Sequence, residues 1–116
     1  MRSTSLRTGA EFRRAFLEGT SAAGKYVVVH AVPNGLQRIR TGFPVGKRMG
    51  SAVRRNRIRR LLREAVRTSQ AIPRSGYDIV IVPRQAVSDR DVNVQAVLDD
   101  LDRVIARMGL REGTGD

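Results

Sequence analysis

The stretch from Lys47 to Arg67 constrains this chain more than any other. Residues 47–63 contain Lys47, Arg48, Arg54, Arg55, Arg57, Arg59, Arg60 and Arg63, and no acidic residue. From about Ser51 to Thr68 the apolar positions recur at helical spacing and predict the longest helix of the chain. Ile58, Leu61, Leu62, Ala65 and Val66 share one face, which must pack against a sheet. Asn56, Arg59, Arg60, Arg63 and Arg67 share the opposite face. Arg54 and Arg55 fall on the apolar side, but in the first turn, where they can project past the sheet edge. Arginines crowded beside a helix N-terminus repel one another and the positive end of the dipole. Only Glu64 is placed to relieve them. Such a helix is costly unless a polyanion lies across it, and its free N–H groups suit phosphate. The bland alternative is a solvated basic face, and the missing acidic neighbours argue against it.

The charge of the whole chain agrees. Its 116 residues carry a formal charge of +11, with 20 Arg against 2 Lys. Arginine's planar fork matches phosphate oxygens in pairs and stacks on bases, which favours nucleic acid over a bare membrane surface. Residues 1–84 hold 18 basic and 4 acidic side chains, whereas residues 85–116 hold 4 and 7. The partner should therefore meet the first two-thirds, and the last helix should face away. The chain has no cysteine, which excludes disulfides and cysteine metal sites. No apolar run approaches the ~20 residues that span a bilayer. The start, Met-Arg-Ser-Thr-Ser-Leu, offers no signal peptide. We expect a cytoplasmic protein with no membrane partner.

Around the arginine helix the remaining elements follow in order. Residues 9–18 read as a short helix with Phe12 and Phe16 one above the other, stopped by Gly19, and Thr20 to Gly24 read as a turn. Lys25 to Val32 reads as a strand, with Tyr26, Val28 and His30 on one face and Val27, Val29 and Ala31 on the other. After the Pro33-Asn34-Gly35 turn, Leu36 to Val45 reads as a second strand, paired to the first as an antiparallel hairpin. Tyr77 to Val82 is almost wholly apolar, as expected of a buried central strand. Val92 to Met108 repeats apolar residues at helical spacing. The order α-β-β-α-β-α predicts an α+β fold, a single-domain two-layer sandwich over residues 1–108, with a flexible C-terminal tail at 109–116.

No catalytic constellation is readable. His30 is the only histidine, so neither a metal site nor a Ser-His-Asp arrangement can be drawn. The glycines of residues 42–50 do not have the spacing of a Walker loop, and no Ser or Thr follows Lys47. They more simply shape the turn that brings Lys47 and Arg48 beside the helix start. Phe12, Phe16 and Tyr26 have two readings: core anchors, or a platform on which single-stranded bases stack.

The string from Gly46 to Glu64 resembles the signature of the bacterial ribonuclease P protein subunit, centred on Arg55-Asn56-Arg57 followed by an apolar residue and two basic ones. Phe12, Phe16 and Gly19 match an early Phe-x-x-x-Phe, and Arg40-Thr41-Gly42-Phe43 and Tyr77-Asp78-Ile79-Val80 match as well. The resemblance covers roughly residues 6–108. It implies a small, mostly antiparallel sheet with a left-handed crossover around the arginine helix. It implies tRNA processing by a ribonucleoprotein endonuclease in which the RNA subunit is the catalyst and uses magnesium to hydrolyse a phosphodiester, removing the 5′ leader of precursor tRNA. No protein ligands for magnesium are assigned. Arg55, Asn56, Arg57, Arg59, Arg60 and Arg63, with Arg54, Lys47 and Arg48 beside them, would bind the ribonuclease P RNA. Phe12, Phe16, Tyr26, Val28 and His30 would form the cleft for the leader. His30 stands where members often carry an aromatic residue, and only Arg2 and Arg7 precede the first helix, so leader contacts from that arm should be weaker. We expect a monomeric protein, one per RNA. A ribosomal or general RNA-binding protein is the alternative. A DNA-binding regulator fits least, because strands rather than a second short helix flank the arginine helix.

Overall fold

The computed structural model describes residues 3–110. Its elements are β1 (Ser3–Ser5), α1 (Gly9–Glu18), β2 (Thr20–Ala23), β3 (Val27–Pro33), β4 (Ile39–Gly42), α2 (Ala52–Thr68), β5 (Tyr77–Pro83) and α3 (Val94–Met108). Short 3₁₀ turns lie at Lys47–Met49 and Gln85–Ser88.

β5 sits at the middle of a five-stranded sheet of order β1-β4-β5-β3-β2. Asp78, Ile79, Val80 and Ile81 are all fully buried. A strand apolar on both faces is stable only where both faces and both edges are covered. β3 pairs with one edge of β5, antiparallel, from Val27 opposite Pro83 to Pro33 opposite Tyr77. β4 pairs with the other edge, parallel, and the chain passes from β4 to β5 through α2.

The expected hairpin between the two strands after α1 is therefore absent. β3 and β4 run antiparallel, but β5 is inserted between them, because it has more apolar surface to hide than either. The strand expected over Leu36 to Val45 is also shorter. The turn expected at Thr20 to Gly24 is instead the edge strand β2, paired to β3. Its small side chains give little strand signal, and cross-strand pairing decides its conformation. The sheet is mixed, although its longest ladder is antiparallel as expected.

The helices cover both faces, which corrects the two-layer expectation. α2 and α3 bury Ile58, Leu62, Ala65, Val97, Leu101 and Val104 against Val27, Val29, Ile79 and Ile81 in the larger core. α1 lies on the other face, where Leu6, Ala15, Val32 and Val80 form a smaller core with Phe12 and Val82. The alternation of β3 places Val28 and His30 on this second face. No helix among the described residues is long and apolar enough to cross a membrane. Leu110, assigned to the tail, packs against the larger core, and residues 111–116 lie outside the described residues.

A buried polar anchor ties α3 to the sheet. The buried carboxylate of Asp100 accepts the backbone N–H groups of Lys25, Tyr26 and Val27 at 2.9, 2.8 and 3.2 Å. It closes the turn between β2 and β3 from outside. Asp100→Ala should leave these donors without an acceptor and lower the unfolding free energy by about 2–3 kcal/mol, read from urea unfolding.

Candidate RNA interface

Of the glycines expected to shape the loop into α2, Gly50 is the one whose conformation requires it. Gly50 has φ +119°, a conformation that side chains disfavour, and it turns the chain into the helix. Met49 is buried under the turn, so Lys47 and Arg48 are held out in solvent at the head of α2. Ser51 caps the helix by accepting the N–H of Arg54 at 3.2 Å. No acidic residue stands in the first turn.

The arginines of α2 then divide by what they touch. Arg57 donates to the carbonyls of Arg90 and Val92 at 3.2 and 2.9 Å, tying α2 to the loop before α3. Arg55 donates through Nε to the Gly50 carbonyl at 3.2 Å. Arg59 donates to Asn56 Oδ1 at 3.0 Å and reaches the Val45 carbonyl. Glu64 accepts from Arg67, whose guanidinium holds that carboxyl below its usual pKa. Lys47, Arg48, Arg54, Arg60 and Arg63 are exposed, and none makes a side-chain hydrogen bond or ion pair among the described residues. The nine residues expected to bind RNA all lie on α2 and the turn before it. Three of them, Arg55, Arg57 and Arg59, also bond backbone carbonyls around the helix.

The opposite face of the sheet carries the aromatic group. α1 has ten residues, about 15 Å of helix, too short to cover a five-stranded sheet. Thr8 caps it, and Glu11 returns the bond to the Thr8 N–H, completing a capping box. Phe12 sits under α1 in the smaller core, on Gly42; a Cβ there would meet the Phe12 ring at 2.5 Å. Phe16, one turn later, is 43% exposed. Its ring meets His30 edge-on, with centroids 4.7 Å apart. In the sheet, His30 lies opposite Val80 and Ser21, and Val28 opposite Val82 and Ala23. Phe16, His30, Val28 and Val82 therefore line a strip that is only partly covered. Tyr26 packs against the larger core instead, which favours its reading as an anchor.

A network that the sequence reading missed seats α1. Arg40 donates to both oxygens of buried Asp78 at 2.7 Å and to Glu11 at 2.9 Å, and Asn34 donates to Asp78 at 3.0 Å. The backbone N–H groups of Arg7 and Thr8, and then Arg40, hold the Glu11 carboxyl below its usual pKa. The available signal was Asp78 itself, a charge inside an apolar strand that demands a partner. Among the described residues no group of three or more acidic or histidine side chains could hold a metal ion.

Fold and site together define a basic, helix-covered mixed-sheet domain with a cationic helix on one side and an aromatic strip on the other. Residues 1–109 match the family model for ribonuclease P. The ribonuclease P protein component of Caldanaerobacter subterraneus subsp. tengcongensis is 34% identical over 109 residues, covering 94% of this chain and 92% of its own. That of Clostridioides difficile is 36% identical over 108 residues, covering 92% and 90%. The structure is similar to the RNase P protein from Thermotoga maritima, with a TM-score of 0.79 at 33% identity, covering 89% of this chain and 96% of that one. It is also similar to Staphylococcus aureus RNase P protein, with a TM-score of 0.77 at 28% identity, covering 93% and 97%. The chain belongs to the ribonuclease P protein family, the protein component of a tRNA-processing endoribonuclease.

Burial lowers the His30 pKa from its ordinary 6.5. An NMR titration should therefore place its midpoint below 6.5. The unfolded chain then takes up this proton more readily than the folded one. His30 should cost no stability above its unfolded pKa and should lower stability as pH falls through it. A midpoint at or above the ordinary value would refute the burial of its ring.

Proposed function

We propose that this chain binds the catalytic RNA of ribonuclease P through Lys47, Arg48 and the outer face of α2, and the 5′ leader of precursor tRNA through the strip around Phe16 and His30. The observation that carries this reading is the set of five cationic side chains without a side-chain partner among the described residues, gathered on one helix and the turn before it. A polyanion supplies what the fold withholds. The aromatic strip lies across the sheet from them, so one chain can hold both RNAs at once. Phe16 offers its ring to a base, and His30 backs it as a neutral imidazole that can also hydrogen-bond.

In this reading the protein performs no bond chemistry. The RNA subunit, with magnesium, cleaves the phosphodiester. The protein screens phosphate repulsion and keeps the leader in line with the cleavage point. One copy per RNA suffices, since the two surfaces do not overlap.

The direct test mixes the protein with a bacterial ribonuclease P RNA and precursor tRNA at low magnesium. Cleavage should rise sharply with protein present and be absent with protein alone. Unchanged cleavage by the cognate RNA would leave a general RNA-binding role in its place. Two variants separate the surfaces. Arg60→Ala with Arg63→Ala should weaken assembly with the RNA and reduce the salt slope of log K by about 2, one for each lost phosphate contact. Phe16→Ala should raise the dissociation constant for leader-bearing substrate by roughly 5- to 100-fold and spare affinity for the RNA subunit. Loss of the same step in both variants would overturn the two-surface reading.

A further inference from the structure

Between α2 and the start of α3 lies an open groove of about 410 Å³. Leu61 and Val94, both half-buried, are its apolar lining, and Arg57, Arg60, Arg63 and Glu64 are its polar one. Arg57 is held in place by the carbonyls of Arg90 and Val92, which fix the α3 side of the groove relative to α2. Arg60 and Arg63 are exposed and make no side-chain bond among the described residues. The negative charge of Glu64 is already taken by Arg67. The groove is therefore apolar within and cationic at its rim.

We infer that this groove receives a single unpaired nucleotide of the RNA subunit, its base on Leu61 and Val94 and its two flanking phosphates against Arg60 and Arg63. The inference rests on the RNA-binding role of α2 proposed above. The occupant is argued from charge and shape. A nucleotide joins a flat, weakly polar ring to an anionic group a few ångströms away, which is the pattern this groove complements. An unstacked base can lie on an apolar wall and on an arginine plane, whereas a duplex offers only its phosphates. A purely apolar partner would leave two guanidinium groups desolvated at the rim without a counter-charge. The volume falls within the range of small-ligand clefts. α2 thus reads more than backbone charge: part of its affinity depends on one base being free to leave the stack.

The chain has no cysteine, so a single one can be placed at will. Val94→Cys, carrying a photoactivatable aryl azide, is assembled with the full-length RNA and irradiated. Crosslinks should map to one unpaired nucleotide, and the same azide on Leu17→Cys, across the sheet, should not reach it. Removing that base should weaken assembly of the wild-type protein about tenfold, the scale of one stacked base. Val94→Glu, which places a carboxylate at the rim while suiting the first turn of a helix, should weaken assembly similarly. Combining it with the abasic RNA should cost clearly less than the sum of the two losses. Crosslinks spread along a duplex, crosslinks to a second copy of the chain, or strictly additive losses would overturn the inference and leave the RNA-binding role of α2 standing. Failure of the wild-type protein to assemble with the RNA would overturn both.

Discussion

The arrangement depends on hiding β5. A strand with Ile79, Val80 and Ile81 fully buried needs cover on both faces and partners on both edges. That requirement separates β3 from β4, although they are neighbours in sequence, and makes α2 the crossover between β4 and β5. It also accounts for the one charge tolerated within the strand. Asp78 is buried with three donors on its oxygens, from Arg40 and Asn34. Arg40 then reaches Glu11 in the capping box of α1. The same network that satisfies the centre of the sheet thus fixes where the helix bearing Phe12 and Phe16 begins.

Unequal cover divides the surface. Two long helices close one face of the sheet, and the outer side of α2 carries the cations. One ten-residue helix covers part of the other face and leaves His30, Val28 and Val82 half-covered beside Phe16. The strip owes its openness to the shortness of α1, without any special loop. Gly42 contributes by lacking a side chain, which lets Phe12 sit down on the sheet and leaves Phe16 at the edge.

The arginine helix shows how far a sequence pattern reaches. The wheel separates Ile58, Leu62, Ala65 and Val66 from Asn56, Arg60 and Arg63 correctly, because helical periodicity fixes direction for every residue of a regular helix. It gives each arginine a face and no partner. Arg57 spends its guanidinium on carbonyls from the loop before α3, more than thirty positions away in sequence. Asp100 was equally hidden: it sits among Val97, Leu101 and Val104 on the apolar side of α3, where its partners are N–H groups of a distant turn. The small residues of β2 carry no pattern at all, and only pairing with β3 makes them a strand.

The sequence by itself determined the helices, the central apolar strand, the position and sign of the charge, and the family. These follow from local periodicity and from residue types at fixed spacing. Only the tertiary structure decided the strand order, the placement of helices on both faces, the separation of Phe12 from Phe16, and which arginines are tied to backbone carbonyls. Each of these is a contest between distant groups for the same covered surface or the same hydrogen-bond acceptor. Its outcome depends on who is near, which no spacing along the chain records.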